Sequence, residues 1–178
     1  ALFVNTAKAA GELVDAELVA ASAVRFFGAQ PTGCGPVADA FATESAKYTA
    51  VRTPATIAHS LAIGTPADGN QALAIARESG GAVEGTSDDQ IVAAIRLVAE
   101  TEGILVEPAA GVTVAALARL ARSGAIDPDE TVVAYLTGNG FKTPAVALPT
   151  RDAPVAIAPT VAAFEAAEAQ RSGQLVEV

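Results

Sequence analysis

Methionine and tryptophan are absent from this sequence, histidine and cysteine occur once each, and aromatic residues make up only 4% of it. A single cysteine, Cys34, cannot close an internal disulfide, which fits a reducing compartment and leads us to expect a cytoplasmic protein. One histidine and one cysteine, with carboxylates that fall mostly at helix ends and turns, give no metal-ligand spacing. Charges, glycine or proline interrupt every long apolar run before about 18 residues, so no membrane span is expected. The first residues, Ala1-Leu2-Phe3-Val4-Asn5, carry no basic region or cleavage pattern, and no signal peptide is read there. Gly-x-Ser-x-Gly is missing, which removes the nucleophile elbow of serine hydrolases. Gly-x-Gly occurs at 33–35 and 138–140 but extends neither to Gly-x-Gly-x-x-Gly nor to a Walker lysine. The missing methionine includes an initiator, and the apolar spacing of Leu2, Phe3, Ala9, Ala10, Leu13, Val14 and Leu18 begins without an N-cap. That start is expected of a fragment, a processed product or a chain whose first residues are not included.

What is present is a chain of 178 residues, 51% hydrophobic and rich in alanine and valine. That length is enough for one domain with a proper core. A core of small aliphatics suits a helix-covered parallel sheet. The net charge of −9 argues against nucleic acid and anionic membrane surfaces as partners. An anionic substrate would need a local positive site.

Helical patterns alternate with short apolar runs. Residues 2–20 read as a helix, 24–29 as a strand, and Pro31 to Pro36 as a turn into a helix through Phe41. Residues 43–55 read as a loop, and Thr56 to Ile63 is ambiguous between strand and helix. Asp68 is a candidate N-cap for a helix to about Ser79, stopped by Gly80-Gly81. Ala82 to Gly85 is a weak strand. Ser87 and Gln90 have the capping-box form for a helix to about Thr101. Ile104 to Val106 reads as a buried strand, followed by a helix to about Arg122. Thr131 to Leu136 reads as a last buried strand. A loop with Pro144, Pro149 and Pro154 leads to a helix over 161–170. This βαβα order predicts an α/β fold: a doubly wound, mostly parallel sheet with helices on both faces. The division expected is 1–150 for the main portion and 151–178 for a C-terminal loop and helix.

Three stretches could carry chemistry. Thr137 stands at the end of the last apolar run, where open α/β sheets bind their ligands, and Gly138-Asn139-Gly140 turns away from it. A neutral hydroxyl there can donate to an unprotonated ring nitrogen or accept from a protonated one. The plain alternative is an ordinary turn. Glu107-Pro108-Ala109-Ala110-Gly111 also lies at a strand end, with small residues that permit close approach of a flat ligand. Its alternative is an acidic residue placed favourably at a helix N-terminus. Thr56 to Gly69, rich in small residues, either passes a ligand or packs tightly. His59 has apolar neighbours and reads as a packing or hydrogen-bonding residue. Cys34 lies before a helix N-terminus, which would lower its pKa, yet it reads as an inert buried thiol.

In order, these blocks resemble the C-terminal half of the threonine synthases, pyridoxal-phosphate (PLP) enzymes of the tryptophan-synthase β-like fold (fold type II). Phe27 to Pro36 is similar to the family's Gly-Ala-Gln-x-x-Gly-Cys-x-Pro segment. Residues 56–69 match the family's Thr-Ile-Ala-Lys-Ser-Leu-Ala-Ile-Gly-Asn-Pro-Ala-Asp-Gly apart from His59 and Thr65. Glu102 to Thr113 resembles Glu-Gly-Ile-Phe-x-Glu-Pro-Ala-Gly-Gly-Val-Thr. Thr137 to Thr143 resembles Thr-Gly-Asn-Gly-Leu-Lys-Thr, with Phe141 for leucine. The resemblance implies that PLP is the cofactor and that Thr137 is the hydroxyl beside its pyridine nitrogen, with Gly138 adjoining. It further implies that Ala58 passes near the ring and that Glu107 lies at the cofactor's edge. The substrate it implies is O-phosphohomoserine, converted with water to threonine and phosphate.

The family's Schiff-base lysine, in Ser-Phe-Lys-Asp, and its glycine-rich phosphate loop do not occur in this sequence. Lys8, Lys47 and Lys142 stand in other contexts. The expectation is therefore a portion that needs the N-terminal half as partner and is inactive alone, with no catalytic residue of its own. Alternatives are a non-catalytic remnant, a partner-completing subunit, or a portion of a related threonine or serine dehydratase. A homo-oligomer is a further possibility, since an unpaired sheet edge invites association.

Overall fold

Two short strands, β1 (Gly28–Pro31) and β2 (Val83–Thr86), lie side by side and parallel, with Gly28 opposite Val83 and Pro31 opposite Thr86. The structure is a computed structural model that describes residues 2–20, 24–147 and 155–174. It separates into two compact units, Ala1–Ala147 and Leu148–Val178. The first holds α1 (Leu2–Asp15), α2 (Pro36–Ala42), α3 (Gly69–Glu78), α4 (Asp88–Glu102), α5 (Pro108–Arg122) and α6 (Pro144–Ala147). The second contains α7 (Val161–Gln174).

Strand residues alternate between faces, and each face of the pair meets different helices. Val83 joins Val37, Ala38 and Ala40 of α2 and Leu73 and Ala76 of α3 in one buried cluster. Ala29, one residue out of phase, packs against a second cluster built on Ile91, Ile95 and Val98 of α4 and Ala110 and Val112 of α5. Parallel strands with helices on both faces make this an α/β fold. Ile91 and Ile95 are fully buried, and truncating either to alanine would cost about 2–5 kcal/mol.

Local signals account for the helix ends. Ser87 Oγ accepts from the Gln90 amide, Gln90 Oε1 accepts from the Ser87 amide, and Gly103 ends α4 in the left-handed region. Pro36 and Pro108 occupy the first turns of α2 and α5, where a missing N–H is harmless. Gln30 Oε1 accepts from the amides of Val37 and Ala38, so a strand side chain caps α2.

The strands differ from the sequence expectations. β1 starts at Gly28 rather than Val24. Ile104 to Val106 is not a buried strand: Ile104 is exposed, and Val106 makes a single antiparallel bridge with Asn139. Thr131 to Leu136 is exposed and forms no strand. A strand exists only as part of a ladder, and the backbone of 131–137 makes no backbone hydrogen bond with any described residue. Thr56 to Ile63 resolves into a loop with a single 3₁₀ turn, His59–Leu61. Pro144 opens α6, while Pro149 and Pro154 lie outside the described residues.

Candidate functional site

The carboxyl ends of β1 and β2 lie at the same edge of the sheet, because the strands are parallel. Ligands of open α/β sheets bind at that edge. β1 leads through Thr32–Cys34 into α2, and β2 leads through Ser87 into α4. The loop before Ala58 touches both connections. The Ala55 amide donates to the Gly33 carbonyl at 3.0 Å. Thr56 Oγ1 donates to Asp88 Oδ1 at 2.7 Å, and the Ile57 amide donates to Asp88 Oδ2 at 3.2 Å.

Ala58 is fully buried in the cluster that contains Val106 and Ala110. Val106 in turn pairs with Asn139. On either side of that bridge the Gly140 amide donates to the Leu105 carbonyl at 3.0 Å, and the Glu107 amide donates to the Gly138 carbonyl at 3.4 Å. The fold therefore brings Glu107 and Gly138 together and places Ala58 in the packing beneath Val106. Thr137 adjoins Gly138 and is exposed.

Gly138 has φ of +79°, and the space a Cβ would take there is filled by the Glu107 carboxyl, whose carbon lies 1.9 Å from that position. No described residue hydrogen-bonds the Thr137 hydroxyl. At the other end of the turn, Thr143 Oγ1 is buried without a partner. The turn thus offers one exposed, uncommitted hydroxyl, that of Thr137, beside the Glu107 carboxylate, a pair of polar groups that fits the polar edge of a flat aromatic ligand. Pyridoxal phosphate is such a ligand, and Thr137 has the chemistry to meet its ring nitrogen.

The remaining candidates fall elsewhere. His59, expected to pack or to hydrogen-bond, is exposed and its ring has no hydrogen-bond partner among the described residues, so the fold provides neither role. Cys34 is completely buried, and burial pushes its thiol pKa up rather than down. Lys142 follows the turn at the end of a 3₁₀ segment. Among the described residues no group of three or more His, Cys, Asp or Glu could hold a metal ion, and no helix is long and apolar enough to cross a membrane.

Sequence reading missed Asp88 as more than a helix-end residue, and missed Gln30 altogether. Thr56 and Asp88 are 32 positions apart, so no local pattern joins them.

Residues 6–138 match the family model described as "Pyridoxal-phosphate dependent enzyme". The threonine synthase of Methanocaldococcus jannaschii is 38% identical over 130 residues, which are 73% of this chain and 32% of that protein. The threonine synthase of a Bacillus species (strain ULM1) is 40% identical over 106 residues, 60% of this chain and 30% of that protein. The matched stretch spans about a third of the length of these relatives. Among solved structures, maize serine racemase aligns with a TM-score of 0.44 and 25% identity, covering 52% of this chain and 27% of the other.

Proposed function

This chain belongs to the pyridoxal-phosphate dependent enzymes, and on that premise we propose that it is the portion of a threonine synthase that borders the pyridine-nitrogen side of the cofactor. The complete site would convert O-phosphohomoserine and water to threonine and phosphate. The observation that carries this reading is the Val106–Asn139 bridge. It sets Glu107 against Gly138 and leaves the Thr137 hydroxyl free beside them, and the relatives sharing this stretch are named threonine synthases.

When bound, pyridoxal phosphate supplies an electron sink for carbanion chemistry. The residues of this chain would bind and orient it. The Thr137 hydroxyl would hydrogen-bond the ring nitrogen and, being neutral, would leave it less strongly polarised than a carboxylate. Gly138 lets the backbone turn sharply just beyond that contact. Glu107 would lie at the cofactor's edge, and Ala58, buried in the packed wall, would lie near the ring. The sequence contains neither the family's lysine motif nor its phosphate loop. The chain by itself is therefore proposed to be inactive and to need the N-terminal portion of such an enzyme, in a reducing, cytoplasmic setting.

The test is phosphate release from O-phosphohomoserine. The purified 178-residue chain with pyridoxal phosphate is expected to release none. The same chain joined to the N-terminal portion of a threonine synthase is expected to release phosphate, and Thr137→Val is expected to lower that rate by about 10–100-fold, the loss of one hydrogen bond to a charged group. Release by the isolated chain would overturn the inactivity. Keto-acid formation from threonine or serine, without phosphate release, would replace the synthase reading with a dehydratase.

A further inference from the structure

We propose that Asp88 is a positioning residue: its carboxylate, fixed on the first turn of α4, holds residues 56–58 across the carboxyl ends of β1 and β2. The inference rests on the proposed function for what that loop borders, and on geometry alone for the clamp itself.

Asp88 follows the Ser87 N-cap and is the first helical residue of α4. An acidic side chain there is favoured by the helix dipole, and its backbone is already set by the capping box. Both of its carboxylate oxygens are spent on the loop. Oδ1 accepts from the Thr56 hydroxyl at 2.7 Å, and Oδ2 accepts from the Ile57 amide at 3.2 Å. With its proton committed to Asp88, Thr56 Oγ1 turns a lone pair to the Ala58 amide, which donates to it at 3.1 Å. Two of these bonds run in series from Asp88 through Thr56 to the Ala58 amide, with the Ile57 bond beside them, and bonds in such a chain polarise one another.

On its other side the loop is backed by Gly33. A Cβ at Gly33 would lie 1.7 Å from the Ala55 carbonyl oxygen, so only glycine permits this approach. Residues 55–58 are thus held between the exit of β1 and the exit of β2. Beyond these bonds Ala58 is completely buried against the helix pair that carries Glu107 at its turn. A capping role would need only one carboxylate oxygen turned to its own helix. Here both oxygens face a segment more than 30 residues away in sequence.

The test is amide hydrogen exchange, residue by residue, on the isotopically labelled chain without cofactor. Each amide reports its own acceptor. In Asp88→Asn one carboxylate oxygen becomes an NH2 that cannot accept, so either the Ile57 amide or the Thr56 hydroxyl loses its acceptor, and exchange at Ile57 or at Ala58 is expected to be about tenfold faster, the ratio for one charge-assisted hydrogen bond. In Asp88→Ala, Ile57 and Ala58 are both expected to accelerate. In Thr56→Val, Ala58 accelerates while Ile57 stays within about twofold, and Thr56→Ser restores Ala58. Amides in the middle of α3 are expected to hold their rates throughout.

Unchanged exchange at Ile57 and Ala58 in both Asp88 variants would overturn the proposal. So would uniform acceleration that includes α3, the sign of a merely destabilised fold. If Asp88→Ala fails to fold, the Thr56→Val and Thr56→Ser pair decides by the same pattern. Adding pyridoxal phosphate to the wild-type chain joined to the N-terminal portion of a threonine synthase tests the cofactor reading separately. If the Thr137 and Gly138 amides do not respond while the clamp pattern is intact, the cofactor reading fails and the clamp stands.

Discussion

A methyl group on Gly138 would sit 1.9 Å from the Glu107 carboxyl carbon, on a backbone whose φ of +79° disfavours any L side chain. The two penalties are separable. The left-handed conformation alone costs an alanine about 1–2 kcal/mol, and the clash adds whatever it takes to swing Glu107 aside. Glu107 is a long side chain at the rim of its helix, so the clash term is the smaller one. Gly138→Ala is expected to lower the unfolding free energy by about 1–2 kcal/mol. The double variant Gly138→Ala/Glu107→Ala is expected to recover only a minor part of it. Urea denaturation of the four members of this cycle measures both terms, and full recovery in the double variant would mean that the contact, not the backbone, imposes glycine here. Thr137, one residue away, owes its free hydroxyl to this turn: the chain bends at Gly138 and leaves the threonine outside the packing.

The same substitution has opposite signs in two helices. Gly11 lies inside α1, and a Cβ there would meet nothing within 4 Å. Gly11→Ala is therefore expected to stabilise by about 0.5–1 kcal/mol through helix propensity alone. Gly111 lies inside α5 where it crosses α4, and a Cβ there would lie 2.8 Å from Ile95 Cγ1 and 2.9 Å from the Ile91 carbonyl oxygen. The isoleucine side chain can yield but the carbonyl belongs to the α4 ladder. Overpacking of about 1–3 kcal/mol outweighs the propensity gain, so Gly111→Ala is expected to lower the melting temperature while Gly11→Ala raises it. Two shifts of the same sign would refute the packing argument. Elements such as α4 could be read from sequence because their signals are local: Ser87 and Gln90 open it and Gly103 closes it. The run Thr131 to Leu136 was misread as a buried strand because β-branched composition records a preference, while a strand is a property of its neighbours. The site divides in the same way. Thr137-Gly138 and Glu107 stand out as turns after apolar runs, whereas the Asp88 clamp joins distant residues and becomes visible only in three dimensions.

At the scale of the molecule, the unit Ala1–Ala147 leaves a hydrogen-bonding edge and an apolar strip uncovered. Residues 131–137 form no regular element and bond to no described backbone, and Val132, Val133, Tyr135 and Leu136 are all at least 40% exposed. β2 also has a free edge, since the described sheet holds only two strands. Edges of this kind pair with other chains unless charge or twist protects them, and the strip carries no charge between Thr131 and Asn139. The net charge of −9 opposes association through long-range repulsion, but that repulsion is screened within about 8 Å at physiological salt. Short-range apolar contact and strand pairing are not screened. The isolated chain is therefore expected to associate, more strongly as salt is raised, and sedimentation velocity across a concentration series reads the effect. Val133→Lys puts a charge at a side chain that is 75% exposed, so it is expected to shift the distribution toward monomer while leaving the urea midpoint nearly unchanged. A chain that stays monomeric at high salt and high concentration would show that this strip is protected. A Val133→Lys variant that loses stability would show instead that the strip is packed in solution.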